Sequence, residues 1–190
     1  MPNTAFGGQS QQRWGADTLN KHGVLQDLLL FDTAGEPRAT LAARKAGLLV
    51  LAFFHTGCET SRVTLPHLQR LADAFAESKK LTVWGVSQDP SEDTAAFAKQ
   101  LGVTFPVCLD RDGYHSMLLG VASVPTVFLV DGGGHALRKI IGWDRAALNA
   151  LAADVAAFAE QPDAAPLVPA DDPAPARAPG CGSRHVSTMV

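Results

Sequence analysis

The order of apolar and polar residues predicts a chain in which strands and helices alternate. Its centre is an unbroken apolar run over residues 48–54, which is typical of a buried strand. The polar turn His55-Thr56-Gly57 follows this run, and beyond Cys58 apolar residues recur at helical spacing, at Leu65, Leu68, Leu71 and Phe75. The stretch therefore predicts a buried strand that leads into a helix, with one thiol in the first turn of that helix.

Similar patterns predict the other elements. Two short extended segments, residues 24–31 and 38–43, flank a turn and predict an N-terminal hairpin. Further strands are predicted at residues 81–87, 104–109, 125–130 and 136–141, and helices at residues 91–101, 114–119 and 145–158. Asp144 is the predicted N-cap of the last helix, and Ser91 or Asp89 that of the helix at 91–101.

The two ends of the chain differ in composition from its middle. Residues 161–180 are mostly Pro, Ala and Asp, which bury too little apolar surface to offset ordering, so we predict a flexible linker there. Residues 1–20 are polar and Gly-rich, and they predict a poorly ordered lead-in. We therefore expect one α/β domain at residues 21–160, with a central mixed sheet flanked by helices and a flexible C-terminal tail at residues 161–190.

Composition and charge argue against several functional classes. An apolar content of 46% is sufficient for a core, whereas a net charge of −3 and the absence of a long basic run argue against a nucleic-acid partner. No window reaches the ~18 apolar residues of a membrane span, and no secretory signal is visible. Three cysteines are too few for a disulfide scaffold, so we expect a cytoplasmic protein whose thiols are reduced at rest.

Cys58 is the strongest candidate for chemistry. The first turn of a helix has unpaired N–H groups and a partial positive charge, both of which favour a thiolate, the reactive form of cysteine. Among its neighbours, Glu59 is expected to raise the Cys58 pKa by like charge, whereas Arg62 and a charged His55 are expected to lower it. The position thus indicates a reactive thiol rather than a structural one.

Residues 53–61 resemble the active-site turn of thioredoxin-fold proteins, where a strand ends in an aromatic residue and a Cys-X-X-Cys turn follows. The helix of that fold carries a proline eight residues after the first cysteine, as Pro66 does here. Residues 124–131, VPTVFLVD, resemble its cis-proline loop. The segments GVSQD (85–89), LGVTFPVCLDRDGY (101–114) and PGCGSR (179–184) resemble the TlpA-like and AhpC/TSA-like redoxins. The resemblance implies a thioredoxin-like fold, thiol–disulfide oxidoreduction, and no metal or organic cofactor.

The departures from the family pattern are informative. Ser61 stands where the second cysteine of Cys-X-X-Cys is usual, and Ala52 stands where thioredoxins place a buried acid that deprotonates that cysteine. With no second thiol in the turn, the acid would have no proton to move. The absence of the acid is therefore consistent with the absence of the second cysteine. A peroxiredoxin motif would need Pro and Thr at Leu51 and His55.

The resemblance assigns candidate roles to individual residues. Cys58 is the expected nucleophile, and Ser61 is either a hydrogen-bond donor to its thiolate or only a hydroxyl of the first helical turn. Cys181 is either an inert tail cysteine or the resolving thiol, which a random coil of ~25 Å span would bring within reach of Cys58. Pro125 is the expected cis-proline, and the backbone of Val124 is expected to pair with an extended substrate.

The remaining candidates are secondary. His55, Thr56 and Arg62 are expected to contact the substrate because they flank the thiol, and Cys108 is expected to be a packing residue of a strand. A metal site built from Cys58, His55 and Cys181 has no ligand spacing in its favour, so no metal is expected.

The sequence therefore predicts a cytoplasmic thiol–disulfide oxidoreductase that uses Cys58 as nucleophile, with Cys181 or an external thiol resolving the mixed disulfide. Its partners would be a protein or small-molecule disulfide and a reducing thiol donor, with no nucleic acid and no membrane, and the protein would be a monomer or homodimer. Two alternatives stay open: a peroxiredoxin-like peroxidase in which Cys58 becomes a sulfenic acid that condenses with Cys181, and a redox-inactive thioredoxin-fold binding module.

Overall fold

The computed structural model describes residues 24–45, 47–161 and 165–184. Its strands are β1 (Leu29–Asp32), β2 (Pro37–Ala39), β3 (Leu48–Phe54), β4 (Leu81–Ser87), β5 (Val107–Leu109), β6 (Ser123–Val124), β7 (Thr126–Val130), β8 (Ala136–Ile141), β9 (Trp143–Asp144), β10 (Arg177–Ala178) and β11 (Cys181–Gly182). Its α-helices are α1 (Thr40–Arg44), α2 (Glu59–Ala74), α3 (Ser91–Gln100), α4 (Tyr114–Leu118) and α5 (Arg145–Phe158), with a short 3-10 helix at Ala76–Ser78. The predicted lead-in at residues 1–20 lies outside the described residues.

The main sheet is mixed and contains seven strands in the order β2-β1-β5-β4-β3-β7-β8. Every residue of β3 is buried, which agrees with its unbroken apolar sequence, because both faces of this strand are covered. It pairs in parallel with β4 and antiparallel with β7. The prediction of a central mixed sheet flanked by helices is confirmed, as is the N-terminal hairpin of β1 and β2.

Alternating side chains of β3 point into two separate cores. Val50 and Phe54 pack with apolar residues of α2 and α5 on one face, and this core also takes in Leu167 and Val168 of the tail. Leu49, Leu51 and Phe53 face the other core, which includes Cys58, Val124 and Cys108. The thiol of Cys58 therefore sits at the end of the second core, and the tail closes the first.

Some boundaries differ from the sequence predictions. The second strand of the hairpin ends at Ala39 because Thr40 begins α1, and β5 begins at Val107 rather than 104. The predicted N-cap of Asp144 is present and accepts a hydrogen bond from the Ala147 N–H at 3.0 Å. At α3 the prediction is wrong, since Pro90 is the N-cap and no side chain caps the helix.

The tail differs most from its prediction. Residues 165–184 lie against the domain rather than forming a flexible linker, with β10 pairing with β9 and β11 with β6. Side chains of the domain supply most of the bonds: Asn149 exchanges two hydrogen bonds with Val168, Arg145 donates to three tail carbonyls, and the Trp143 indole N–H donates to the Pro175 carbonyl. A composition-based prediction misses this because the tail is ordered by partners outside it.

Among the described residues, no helix combines the length and apolarity needed to cross a membrane.

Candidate active site

The topology of the sheet brings three chain segments to one edge. Because β3 and β4 are parallel, the turn after Phe54 and the residues after Ser87 emerge on the same side. Strand β7 runs the other way, so its start at Thr126, opposite Phe53, lies at this edge too. The loop before Cys58, the Gln88-Asp89 segment and the Val124-Pro125 segment therefore meet, although they are far apart in sequence.

Cys58 occupies the N-cap of α2 and is 1% exposed. The peptide bond between Val124 and Pro125 is cis, as the sequence predicts. In its thiol form Cys58 donates a hydrogen bond to the Val124 carbonyl across 3.3 Å. The reactive turn and the cis-proline loop are thus in direct contact.

The pKa of Cys58 reflects opposing effects. Burial raises the pKa. Hydrogen bonds to the thiolate from the Cys181 thiol and from the hydroxyl and backbone of Ser61 lower the pKa by more than burial raises it, so the pKa of Cys58 lies below the ordinary value of 9.0. The Ser61 side chain is buried, and its Oγ has no hydrogen-bond partner of standard geometry in the described part of the structure. A thiolate at Cys58 would provide that hydroxyl with an acceptor. Ser61 thus stabilises the charged form in particular.

Cys181 lies next to Cys58. Its strand pairs antiparallel with β6, so that Cys181 is opposite Val124 and Gly182 is opposite Ser123. The hydrogen bond with Cys58 and burial raise the pKa of Cys181 to about 11. The pair is therefore asymmetric, with the negative charge favoured on Cys58 and the proton on Cys181. The tail also occupies the backbone position at Val124 that the sequence analysis assigned to a substrate.

Polar side chains at the end of β4 hold the tail in place. The amide of Gln88 donates to Ser183 Oγ at 2.5 Å and accepts from the Arg184 N–H at 3.0 Å. The Arg184 guanidinium contacts Asp89 at 2.5 Å, and the other carboxylate oxygen of Asp89 accepts from the Thr56 N–H at 2.5 Å. Asp89 is buried, so this one carboxylate links the turn before Cys58 to the segment after Cys181.

From their sequence positions, Arg62 and a charged His55 are expected to lower the Cys58 pKa. Burial and the nearby charge of Arg184 lower the pKa of His55 more than Asp89 raises it, so the ring is neutral near pH 7. Arg62 lies along α2, where it contacts Gln100 at 3.1 Å and stacks over the ring of Phe97. The expectation that these two cations lower the Cys58 pKa is wrong, because hydrogen bonds from Cys181 and Ser61 do so instead.

The structure thus brings together Cys58, Ser61, Val124, Pro125 and Cys181, with His55 and Thr56 at the margin. Cys108 is buried within a strand, as predicted, and burial raises its pKa to about 12. Gln88 and Asp89 are site residues for which the sequence predicts no role in the site: they end the GVSQD segment of the resemblance, and Asp89 is predicted only as a possible N-cap. The signal that could have identified them is a polar pair directly after a buried strand parallel to β3, since both strands end at the same edge.

Among the described residues, no group of three or more His, Cys, Asp and Glu side chains is arranged to hold a metal ion. The groups that contact the Cys58 sulfur are the Cys181 thiol, the Ser61 hydroxyl and backbone groups.

Comparisons with known proteins agree with this geometry. The sequence model of the AhpC/TSA family matches residues 24–136. The thiol-disulfide oxidoreductase ResA of Bacillus subtilis is 29% identical over 143 residues, which cover 74% of each chain. Across the curated relatives compared, including other ResA proteins, the chain spans from 53 to 74% of their length.

Solved structures with the same fold are more distant in sequence. A thiol:disulfide interchange protein of the thioredoxin family from Chlorobium tepidum has a TM-score of 0.59 at 19% identity and covers 70% of this chain and 94% of its own. The peroxidoxin BcpB of Mycobacterium tuberculosis has a TM-score of 0.60 at 23% identity and covers 76% of this chain and 96% of its own. These similarities establish a thioredoxin-like fold.

Proposed function

This chain belongs to the AhpC/TSA family, and we propose that it is a thiol–disulfide oxidoreductase in which Cys58 and Cys181 form the redox pair. Its relatives include proteins named thiol-disulfide oxidoreductase, which supports the reaction class. The observation that carries the proposal is the contact between the two cysteines, 123 positions apart, with the thiolate favoured on the one at the helix N-terminus. Cys181 thus supplies the resolving thiol, a role that the hydroxyl of Ser61 cannot have.

The first step is attack of the Cys58 thiolate on a substrate disulfide. A bond forms between the Cys58 sulfur and one substrate sulfur, and the other substrate sulfur leaves as a thiolate. Cys181, once deprotonated, then attacks the Cys58 sulfur and releases the second substrate thiolate. The substrate is reduced by two electrons and the enzyme ends with a Cys58–Cys181 disulfide, which an external dithiol reduces in the same way.

The asymmetry of the pair has a consequence for the order of these steps. The raised pKa of Cys181 is due first to its hydrogen bond with Cys58, and the charge of the Cys58 thiolate adds to it. In the mixed disulfide that sulfur is uncharged, so this cause disappears and Cys181 loses its proton more easily. Cys181 is therefore held as a thiol until Cys58 has reacted.

The test is insulin-disulfide reduction together with peptide mapping of the oxidised protein. We expect Cys58→Ser to lose activity, and Cys181→Ser to form mixed disulfides at Cys58 that persist unless an external thiol is added. Cys108→Ala is the matched control, because it removes the third thiol without placing a hydroxyl in the core, and it should keep wild-type activity. Equal activity of Cys58→Ser and wild type would refute the proposal, and normal release by Cys181→Ser would refute the resolving role of Cys181.

Peroxide consumption and the alkylation of Cys58 separate the two alternatives. A peroxidase would consume peroxide at a rate that Cys58→Ser abolishes, with the sulfenic acid of Cys58 condensing with Cys181 and releasing water. A binding module would show neither activity, and its Cys58 would resist alkylation below about pH 7. We place the reaction in the cytoplasm as part of the proposal, because three scattered cysteines do not form a disulfide scaffold of the kind that is common in oxidising compartments.

A further inference from the structure

We propose that residues 179–184 form a cap that fills the substrate groove of the reduced protein, and that Asp89 is the positioning residue that holds this cap closed. Substrate and cap would then compete for the same backbone site beside Pro125. The inference deepens the proposed function, on which its biological meaning rests, but accessibility of Cys58 tests it without any enzymatic assay.

The first argument is the position of the cap. Cys181 pairs with Val124, and the Ser183 N–H donates to the Ala122 carbonyl at 3.0 Å, so the tail runs as an added strand along the cis-proline loop. An extended polypeptide that pairs with the backbone at Val124 needs the same space. Cys58 is buried beneath this strand, so its sulfur becomes reachable for a substrate only when the strand moves.

The second argument is the steric fit of the cap. A Cβ atom built on Gly180 would lie 2.5 Å from the Val124 carbonyl oxygen and 2.4 Å from Ser123 Oγ. A Cβ on Gly182, two residues further on, would meet no atom within 4 Å. The backbone at Gly180 therefore lies in very close contact with the groove, whereas the backbone at Gly182 has space for a side chain.

The third argument is the set of polar contacts that close the cap. At one end of the cap the Thr60 hydroxyl donates a hydrogen bond to the Pro179 carbonyl at 2.8 Å, and at the other end Arg184 forms an ion pair with Asp89. Asp89 also accepts a hydrogen bond from the Thr56 N–H through its other carboxylate oxygen, so one carboxylate connects the cap to the turn before the thiol. Because the Asp89 side chain is only 4% exposed, this ion pair is less screened than one at the surface.

The region before the cap is held independently. Arg177 forms an ion pair with Asp144 at 2.7 Å, and Trp143 binds the Pro175 carbonyl. Residues 179–184 can therefore lift while the tail up to Ala178 stays in place. Three residues span at most ~10 Å, so a lifted Cys181 stays close enough to return and attack Cys58. This tether is far shorter than the random coil that the sequence suggested.

The experiment compares two alanine variants of the full-length reduced protein. The rate of Cys58 alkylation by iodoacetamide is followed by peptide mass spectrometry, and rates are compared at the alkaline plateau of each pH profile, so that a changed Cys58 pKa does not interfere. We expect Gly180→Ala to raise the plateau rate about tenfold, which corresponds to about 1.4 kcal/mol in the closing equilibrium. Gly182→Ala should stay within about twofold of the wild type, because its Cβ points into open space.

Arg184→Gln provides an independent opening of the cap through its polar contacts, and Arg177→Gln is its matched control in the same tail. We expect a faster plateau rate for Arg184→Gln and an unchanged one for Arg177→Gln. The cap is refuted if Gly180→Ala and Arg184→Gln both react at the wild-type rate, or if the two controls accelerate as much as the test variants. Should Gly180→Ala not fold, the comparison of the half-exposed Arg184 with Arg177 decides alone. If the wild type did not reduce disulfides but the variants showed the expected alkylation rates, the proposed function would be refuted and the cap would be supported.

Discussion

The Ser61 hydroxyl has opposite effects on the two protonation states of Cys58, and Ser61→Ala should reveal both. The side chain is fully buried, and its oxygen has no hydrogen-bond partner of standard geometry in the described structure while Cys58 is a thiol. When Cys58 is a thiolate, the same hydroxyl is one of the donors that lower its pKa. Ser61→Ala should therefore leave the thiol form intact and weaken the thiolate form.

The magnitudes follow from the cost of buried polar groups. A buried donor without a partner destabilises a protein by about 1–3 kcal/mol, so the variant should be at least as stable as the wild type when Cys58 is protonated. A hydrogen bond to a charged group contributes about 1.5–3 kcal/mol. Because Cys181 and backbone groups continue to donate, we take the lower end of this range, which corresponds to about tenfold less thiolate at a pH well below the Cys58 pKa.

The sign of the pH dependence follows from the direction of the shift. The folded state lowers the Cys58 pKa below 9.0, so the unfolded chain binds more protons between the folded pKa and 9.0. Wild-type stability from this group is absent at lower pH and grows as the pH rises through that window. The variant Ser61→Ala should gain less stability over this window. The free energy of unfolding of the wild type should therefore increase relative to that of the variant as the pH rises.

Two measurements test the prediction. Urea unfolding under a reducing phosphine at about pH 5 and about pH 9 measures stability, and the ultraviolet absorbance of the thiolate follows Cys58 alone because Cys181 and Cys108 titrate near 11 and 12. Thr64→Val is the matched control, since its buried hydroxyl already donates to the Thr60 carbonyl at 2.8 Å. It should lose about 1 kcal/mol at both pH values and titrate normally. An unchanged Cys58 titration in Ser61→Ala would refute the reasoning.

Three further predictions concern other parts of the molecule. Burial, and next the charge of Arg70, lower the pKa of His67, so stability should fall as the pH drops below the ordinary value of 6.5, and thermal melts of His67→Phe should show a smaller fall. Trp143→Phe removes the N–H that binds the Pro175 carbonyl, so we expect a loss of about 1 kcal/mol and faster limited proteolysis within the tail. A Cβ on Gly85 would lie 3.0 Å from Phe54 Cε1, so Gly85→Ala should cost about 1–3 kcal/mol in urea unfolding.

Local patterns were sufficient for the central part of the site. The apolar run of β3 and the helical spacing after Cys58 are properties of consecutive residues, and both elements lie where the sequence predicts them. The cis-proline at Pro125 followed from a motif that includes the strand after it. The replacement of the second cysteine by Ser61 was likewise visible, and it directed attention to a thiol elsewhere in the chain.

Electrostatics at the site could not be derived from sequence neighbours. Arg62 and His55 are close to Cys58 in sequence, yet one lies along the helix against Phe97 and the other is a neutral, half-buried ring. The group that most strongly lowers the Cys58 pKa belongs to Cys181. A pKa depends on distance, burial and hydrogen-bond geometry, and sequence separation sets none of these.

The sequence by itself determined a buried strand that leads into a helix, a thiol at the N-terminus of that helix and no second thiol in that turn, because each of these depends on residues close together in the chain. The thioredoxin-like sheet was implied by the resemblance of its motifs. Tertiary structure alone decided that the tail is packed against the domain and that Cys181 meets Cys58. The tail has a composition typical of a linker, and its partners Gln88 and Asp89 look like turn residues. These residues are recognisable as parts of one site only in the folded protein, where the parallel strands β3 and β4 end at the same edge of the sheet and the tail pairs with β6 beside them.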